Sequence, residues 1–329
     1  MRPFTYVRPA DVTSAVAAMA ADEHAKVLGG GTNLLDLMKM GVERPSRLVD
    51  VTRLPLTAVE EHDGGVRIGA MAKNSDVANH PLIRRAYPVL SEALVAGASP
   101  QLRNMATVGG NLMQRTRCYY FYDPSYAECN KRVPGSGCAA RAGINRIHAI
   151  LGASEQCVAT HPSDMAVALV ALDAVVQVTG RDGSRSIPIG EFHKLPGETP
   201  HIETDLHPGE LITSIDLPAM PFARRSHYLK IRDRSSFAFA LVSVASVLDL
   251  DAQGVIRQAR IALGGVAHKP WRVPDAERLL IGEQPDAGAY RAAADALLKG
   301  AKPLRDNGFK VELVRRSVVR ALTTTAALA

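Results

Sequence analysis

The chain has 329 residues, 47% hydrophobic and 22% charged, a balance that suits two or three folded domains with a sizeable core and excludes a disordered protein. A formal charge of +6 and a pI near 9.2 invite a nucleic-acid reading, but Lys and Arg are scattered without a run or stripe, so no nucleic-acid partner is expected. The N-terminal stretch has no apolar h-region, and its mild run at 15–21 is short and alanine-rich. Neither a secretory signal nor membrane insertion is therefore expected, and the chain reads as cytoplasmic, or as periplasmic if exported with a signal-bearing partner.

In chain order, Lys26, Val27 and Leu28 read as a short apolar strand that runs into Gly29, Gly30, Gly31, Thr32 and Asn33, followed from Leu34 by helical apolar spacing. Residues 47–51 and 66–70 read as strands, and 81–96 as one amphipathic helix with proline in its first turn. After a second glycine segment at 107–111, the spacing predicts a helix over 164–173 with Ser163 as N-cap, then a strand over 174–179. The stretch 217–226 carries two prolines and reads as a linker. Beyond it, 237–249 and 255–263 are β-type runs about a turn at 251–254, and 274–281, 287–299 and 311–328 read as helices. Strands followed by helices predict an α+β unit with an antiparallel sheet.

Three consecutive residues without Cβ at the end of a strand let backbone N–H groups converge on an anion. A tight βα turn explains one such triplet equally well, but Thr107, Val108, Gly109, Gly110 and Asn111 repeat the combination of paired glycines with a hydroxyl and an amide. Two loops of this kind suit the two halves of a long pyrophosphate-bearing cofactor. Neither is a Walker A loop nor a clean GxGxxG.

All four cysteines, Cys118, Cys129, Cys138 and Cys157, fall in one stretch between the second glycine loop and His161-Pro162-Ser163-Asp164. Ten, eight and eighteen residues separate them in turn, unlike the compact ferredoxin run. On the residues alone, structural zinc, two disulfides in any of three connectivities, and a four-thiolate cluster all remain open. Arg115, Arg117, Lys131, Arg132, Arg141 and Arg146 outnumber Asp123 and Glu128 here, and Tyr119, Tyr120, Phe121, Tyr122 and Tyr126 gather beside them. That surplus would balance a buried anion, and the aromatic bulk would screen it from water. His148 and His161 read as surface or capping residues.

In combination and order, KVLGGGTNLL at 26–35, SPQLRNMATVGGNL at 99–112, PSDMAVALVALDA at 162–174 and YLKIRDRSSFAFALVSVA at 228–245 resemble the FAD-binding medium subunit of the molybdenum hydroxylases, the xanthine dehydrogenase family. The resemblance covers essentially the whole chain. It implies an α+β fold: an FAD-binding domain of the vanillyl-alcohol oxidase/PCMH type in two α/β subdomains, at 1–55 and 56–220, and a C-terminal antiparallel sheet with helices of the CO dehydrogenase flavoprotein type at 226–329. It implies that Lys26, Val27, Leu28, Gly29, Gly30, Gly31, Thr32, Asn33 and Leu34, with Thr107, Gly110 and Asn111, wrap the FAD pyrophosphate and its flanking groups. Ser163 and Asp164 would bond the polar middle of the cofactor, and Lys230 would lie near the flavin. A helix-capping pair and a solvated edge lysine are the plain alternatives for these three.

The first loop lacks a His or Cys for covalent attachment, so the FAD is expected to be noncovalent. In most medium subunits the second glycine loop runs almost directly into the PSD helix, so the segment at about 113–160 is an insertion. Its cysteine pattern resembles the FAD/[4Fe–4S] subunit of periplasmic aldehyde oxidoreductases, which implies one [4Fe–4S] cluster on the four cysteines. The resemblance further implies a heterotrimer with a small [2Fe–2S] subunit and a large molybdenum-cofactor subunit, this chain carrying electrons to an external acceptor without a catalytic side chain of its own. The alternative is a stand-alone FAD-dependent oxidase or reductase of the same fold group.

Overall fold

A computed structural model describes residues 1–328; residue 329, the end of the expected C-terminal domain, lies outside the described residues. Three sheets carry the fold. Strands β1 (Thr5–Val7), β2 (Ala25–Leu28) and β3 (Arg47–Asp50) form a small parallel sheet in the order β1-β3-β2. A crossover helix, Val12–Ala20, joins the first two strands, and Asp11 caps it by accepting from the Ser14 N–H.

Strands β4 (Val59–His62), β5 (Gly65–Gly69), β6 (Val175–Gly180), β7 (Gly183–Pro188) and β8 (Leu211–Leu217) make an antiparallel sheet in the order β4-β5-β8-β6-β7. The helices Pro88–Ala96 and Asp164–Ala171 belong to its core. Every residue of Asp164–Ala171 is buried, as a helix apolar on all sides requires, and its first residue is thereby pinned deep in the molecule. The third sheet, β9 (Ser226–Ile231), β10 (Val242–Leu250) and β11 (Ile256–Gly264), is antiparallel in the order β11-β10-β9. It shares a core with Ala287–Leu297 and Phe309–Ala326.

Three local expectations change. The single helix at 81–96 is two, Pro81–Ala86 and Pro88–Ala96, because Tyr87 precedes a proline and leaves the helical region at φ −137°, ψ 58°. The strand expected from 237 starts at Val242, since Phe237 takes φ +48° and residues 235–241 form a loop. The linker at 217–226 is a packed joint, with a 3₁₀ turn at Pro221–Arg224 and Met220 and Ala223 in the main core. Among the described residues no helix is long and apolar enough to cross a membrane.

Candidate cofactor sites

A long cleft runs between the three sheets. Lys26, Val27, Gly29, Gly30, Gly31, Thr32, Asn33 and Leu34 line it, as do Thr107, Gly110, Asn111, Ser163 and Asp164. Among the described residues none accepts a hydrogen bond from the backbone N–H groups of Gly30, Gly31, Thr32, Asn33 or Leu34. Five such donors in succession along a cleft form a cradle suited to an anionic group. Leu28 and Lys230 are not part of the lining.

The missing Cβ atoms serve two ends. At Gly30 a Cβ would sit 2.0 Å from the Met105 carbonyl oxygen, so this glycine lets the first loop pack against the chain leading into the second. The space beside its Cα is thus filled by protein, while Gly30 itself still lines the cleft. At Gly110 a Cβ would meet Thr107 Oγ1 at 2.9 Å. Thr107 is the N-cap of Val108–Leu112 and accepts from the Gly110 N–H at 3.2 Å.

Side chains expected at the cofactor are largely engaged with protein. Asn33 Nδ2 donates to the Tyr122 hydroxyl at 2.9 Å, and Asn33 Oδ1 accepts from the Arg115 N–H at 2.9 Å, tying the first loop to the insertion. Ser163 both caps its helix and donates to Asn111 Oδ1 at 2.6 Å. Tyr228 and Lys230, two apart on β9, project from the same face. They meet the two oxygens of Asp164, the tyrosine hydroxyl at Oδ1 and the ammonium at Oδ2, each at 2.8 Å, and Lys230 also donates to the Ala96 carbonyl at 3.0 Å. Lys230, with 4% of its side chain exposed, is not a solvated edge lysine but half of a buried ion pair behind the cleft wall.

The four cysteines line a second, enclosed pocket with Tyr120, Phe121 and Lys131. None of the four is in a disulfide, and Cys118, Cys129 and Cys157 are buried. Cys129 and Cys138 face each other across an isolated antiparallel bridge. Among the described residues no three His, Cys, Asp or Glu side chains form a group for a metal ion. The cysteines are instead distributed around the pocket. Backbone N–H groups approach the sulfurs: Tyr120 and Phe121 at Cys118, Val158, Ala140 and Arg141 at Cys138, and Ala159 at Cys157. Burial pushes the Cys118 thiol up to about 12, while the Cys157 hydrogen bond and these N–H groups bring Cys138 down to about 6. Four thiolates cannot share this pocket without cationic compensation.

The Lys131 charge favours the Cys157 thiolate, but most of the basic surplus is engaged with carboxylates. Arg115 pairs with Glu43 and Glu203, Lys131 with Glu203, Arg141 with Glu155 and Arg146 with Asp233. Glu43, Glu203 and Asp233 lie outside the insertion, beyond the reach of a local charge count. Burial opposes the Glu203 carboxylate, yet Lys131 and Arg115 outweigh it and hold its pKa at about 2. Lys131 also donates to the Pro200 carbonyl at 2.8 Å and to His268 Nε2 at 2.7 Å. Lys131 lines the cysteine pocket, while Glu203, Arg115, Glu43 and His268 line the cleft, so this ion network is the wall between the two sites. Of the aromatic group, Tyr120 and Phe121 do the screening, whereas Tyr119 and Tyr126 are exposed.

His148 was expected at the surface and is 1% exposed. Its Nε2 lies 3.1 Å from Cys118 Sγ, and burial followed by the charge of Lys310 pushes its pKa down to about 4. The half-buried His161 lines the cleft, packed on His193 with ring centroids 4.2 Å apart, and burial holds it well below the usual histidine value. Nothing in the local sequence marks Glu203, His193 or His268; they arrive from distant segments.

The fold belongs to a known class. Residues 2–220 match the family described as the FAD binding domain in molybdopterin dehydrogenase, and residues 227–329 the CO dehydrogenase flavoprotein C-terminal domain. The chain belongs to this family and is an oxidoreductase subunit of the molybdenum hydroxylases. Within it, the chain is 52% identical, over the full length of both proteins, to the aldehyde oxidoreductase FAD-binding subunit PaoB of Escherichia coli K12. It is 27% identical to the carbon monoxide dehydrogenase medium chain of Hydrogenophaga pseudoflava, over 97% of this chain and 96% of that one. The solved CO dehydrogenase of Oligotropha carboxidovorans superposes with a TM-score of 0.77 at 25% identity, covering 100% of this chain and 99% of that one.

Proposed function

We propose that the chain is the FAD- and [4Fe–4S]-binding electron-transfer subunit of a molybdenum-containing aldehyde oxidoreductase. It would work with a small [2Fe–2S] subunit and a large molybdenum-cofactor subunit, and pass electrons to an external acceptor. Noncovalent FAD would occupy the cleft, its pyrophosphate on the N–H groups of residues 30–34 and its flanking groups near Lys26, Val27, Gly29, Thr107, Gly110 and Asn111. Ser163 and Asp164 would meet its polar middle. Leu28 and Lys230 act from behind, the first through β2 and the second by holding Asp164.

Cys118, Cys129, Cys138 and Cys157 would ligate one [4Fe–4S] cluster. When bound, FAD exchanges electrons singly or in pairs and the cluster exchanges them singly. The observation that carries this reading is the pairing of a cradle of N–H groups that no protein acceptor among the described residues engages with four sulfurs around a separate pocket. The full-length similarity to an aldehyde oxidoreductase subunit supports the substrate class. The domains would be 1–55, 56–220 with the insertion at about 113–160, and 226–329.

The test is cofactor analysis of the chain purified with its partner subunits. Acid precipitation should release FAD into the supernatant, and iron should exceed the partners' content by about four atoms per chain. Flavin kept in the pellet overturns noncovalent binding, and no iron beyond the partners' overturns the cluster.

A further inference from the structure

We infer that His148 is a positioning and tuning residue: its Nε2–H donates a hydrogen bond to Cys118 Sγ, and the C-terminal domain holds its backbone in place, setting the reduction potential of the group bound in the cysteine pocket. The inference rests on the four-cysteine cluster reading proposed above. A ligating thiolate only accepts hydrogen bonds, so at 3.1 Å the proton belongs on Nε2. Nδ1 is buried with no partner, and this tautomer leaves it a bare lone pair instead of a stranded donor. Among the described residues no other side-chain nitrogen is hydrogen-bonded to a cysteine sulfur; the remaining donors are backbone N–H groups.

The placement is enforced from outside the insertion. The His148 carbonyl accepts from Asn307 Nδ2 at 3.2 Å and from Lys310 Nζ at 3.0 Å, and both donors are fully buried. Lys310 also donates to the carbonyls of Ile147 at 3.0 Å and Gly265 at 2.8 Å, and Asn307 to that of Ala149 at 3.2 Å. Asn145 and Asp306 bond each other reciprocally, at 2.9 and 3.2 Å. The stretch 145–149 is thus fastened on the C-terminal domain while its histidine reaches into the pocket. A directed N–H bond withdraws charge from the sulfur and favours the reduced cluster, which carries one more electron, so His148 raises the midpoint potential.

The experiment is a low-temperature paramagnetic resonance redox titration of the whole complex, with the FAD midpoint read optically as an internal control. His148→Met fills the space without a donor and should shift the cluster midpoint to more negative potential, with iron content and FAD midpoint unchanged. His148→Gln restores a donor and should recover part of the shift. Full iron with an unmoved midpoint in His148→Met overturns the inference. Should that variant fail to assemble, wild-type complex carrying ¹⁵N-histidine decides. A ¹⁵N spin-echo modulation at the reduced cluster, lost in His148→Gln made with the same label, supports the assignment; its absence in wild type overturns it. A wild-type complex without the extra iron defeats the cluster reading itself, before any variant is made.

Discussion

The two sites are built in opposite ways. The cleft takes two glycine loops, the backbone N–H groups at 30–34 are without acceptors among the described residues, and its nearby side chains already bond one another, as Ser163 does with Asn111 and Lys230 with Asp164. The cysteine pocket is lined by the insertion alone, from Thr116 to Ala159, and its support comes from the C-terminal domain: Ile150 and Leu151 of the insertion pack into that domain's core, and the backbone of 147–149 is bonded by Asn307 and Lys310. A backbone cradle can exist before its ligand arrives. If the cysteine pocket takes the proposed cluster, the bound group would complete it, and folding there would be coupled to binding.

The largest expected effect follows from that coupling. Replacing Cys129 by Ser should abolish the extra iron and reduce recovery of the assembled complex, seen by iron analysis and gel filtration. A well-assembled variant with wild-type iron would show that the pocket does not depend on this sulfur.

The buried pair behind the cleft comes next. Asp164→Asn and Lys230→Met each leave a buried partner unmatched and should cost about 3–5 kcal/mol. The double variant should cost less than the sum of the two in denaturant unfolding. Additive losses would mean that the pair carries no coupling.

The glycines separate the roles of the two loops. Gly30→Ala collides with backbone and should lower stability by about 3 kcal/mol even without FAD. Gly110→Ala meets only the Thr107 hydroxyl and should cost about 1 kcal/mol, as for a weakened cap. Thermal melts of apo and FAD-loaded protein distinguish them, and equal costs would erase the contrast between the loops. The smallest effect is expected at the cleft rim, where Arg146 makes a two-pronged bond to Asp233 at 2.8 and 2.9 Å but both side chains are about half exposed. Arg146→Ala should change stability by about 1 kcal/mol at most, and less at high salt.

Much of the molecule was legible in the chain. The strand running into the first glycine loop, the helix capped by Ser163 and the hairpin about residues 251–254 are encoded by neighbouring residues, because caps, turns and apolar periodicity act over a few positions. The break before Pro88 was missed, because uninterrupted apolar spacing masked the bias of a proline against helix at the residue before it. The gathering of four cysteines in one insertion also needed no coordinates.

What the sequence by itself determined is therefore the inventory: two glycine loops, four sulfurs, the order of strands and helices, and the family they compose. Only the tertiary structure decided how that inventory is paired. Glu203 reaches Lys131 and Arg115 across the wall between the sites, Lys230 closes on Asp164 from another sheet, and Lys310 and Asn307 fasten the backbone beside Cys118. The reason is physical. A buried charge or a stranded donor must find a partner wherever the packed chain brings one, and that partner's distance along the sequence leaves no local trace.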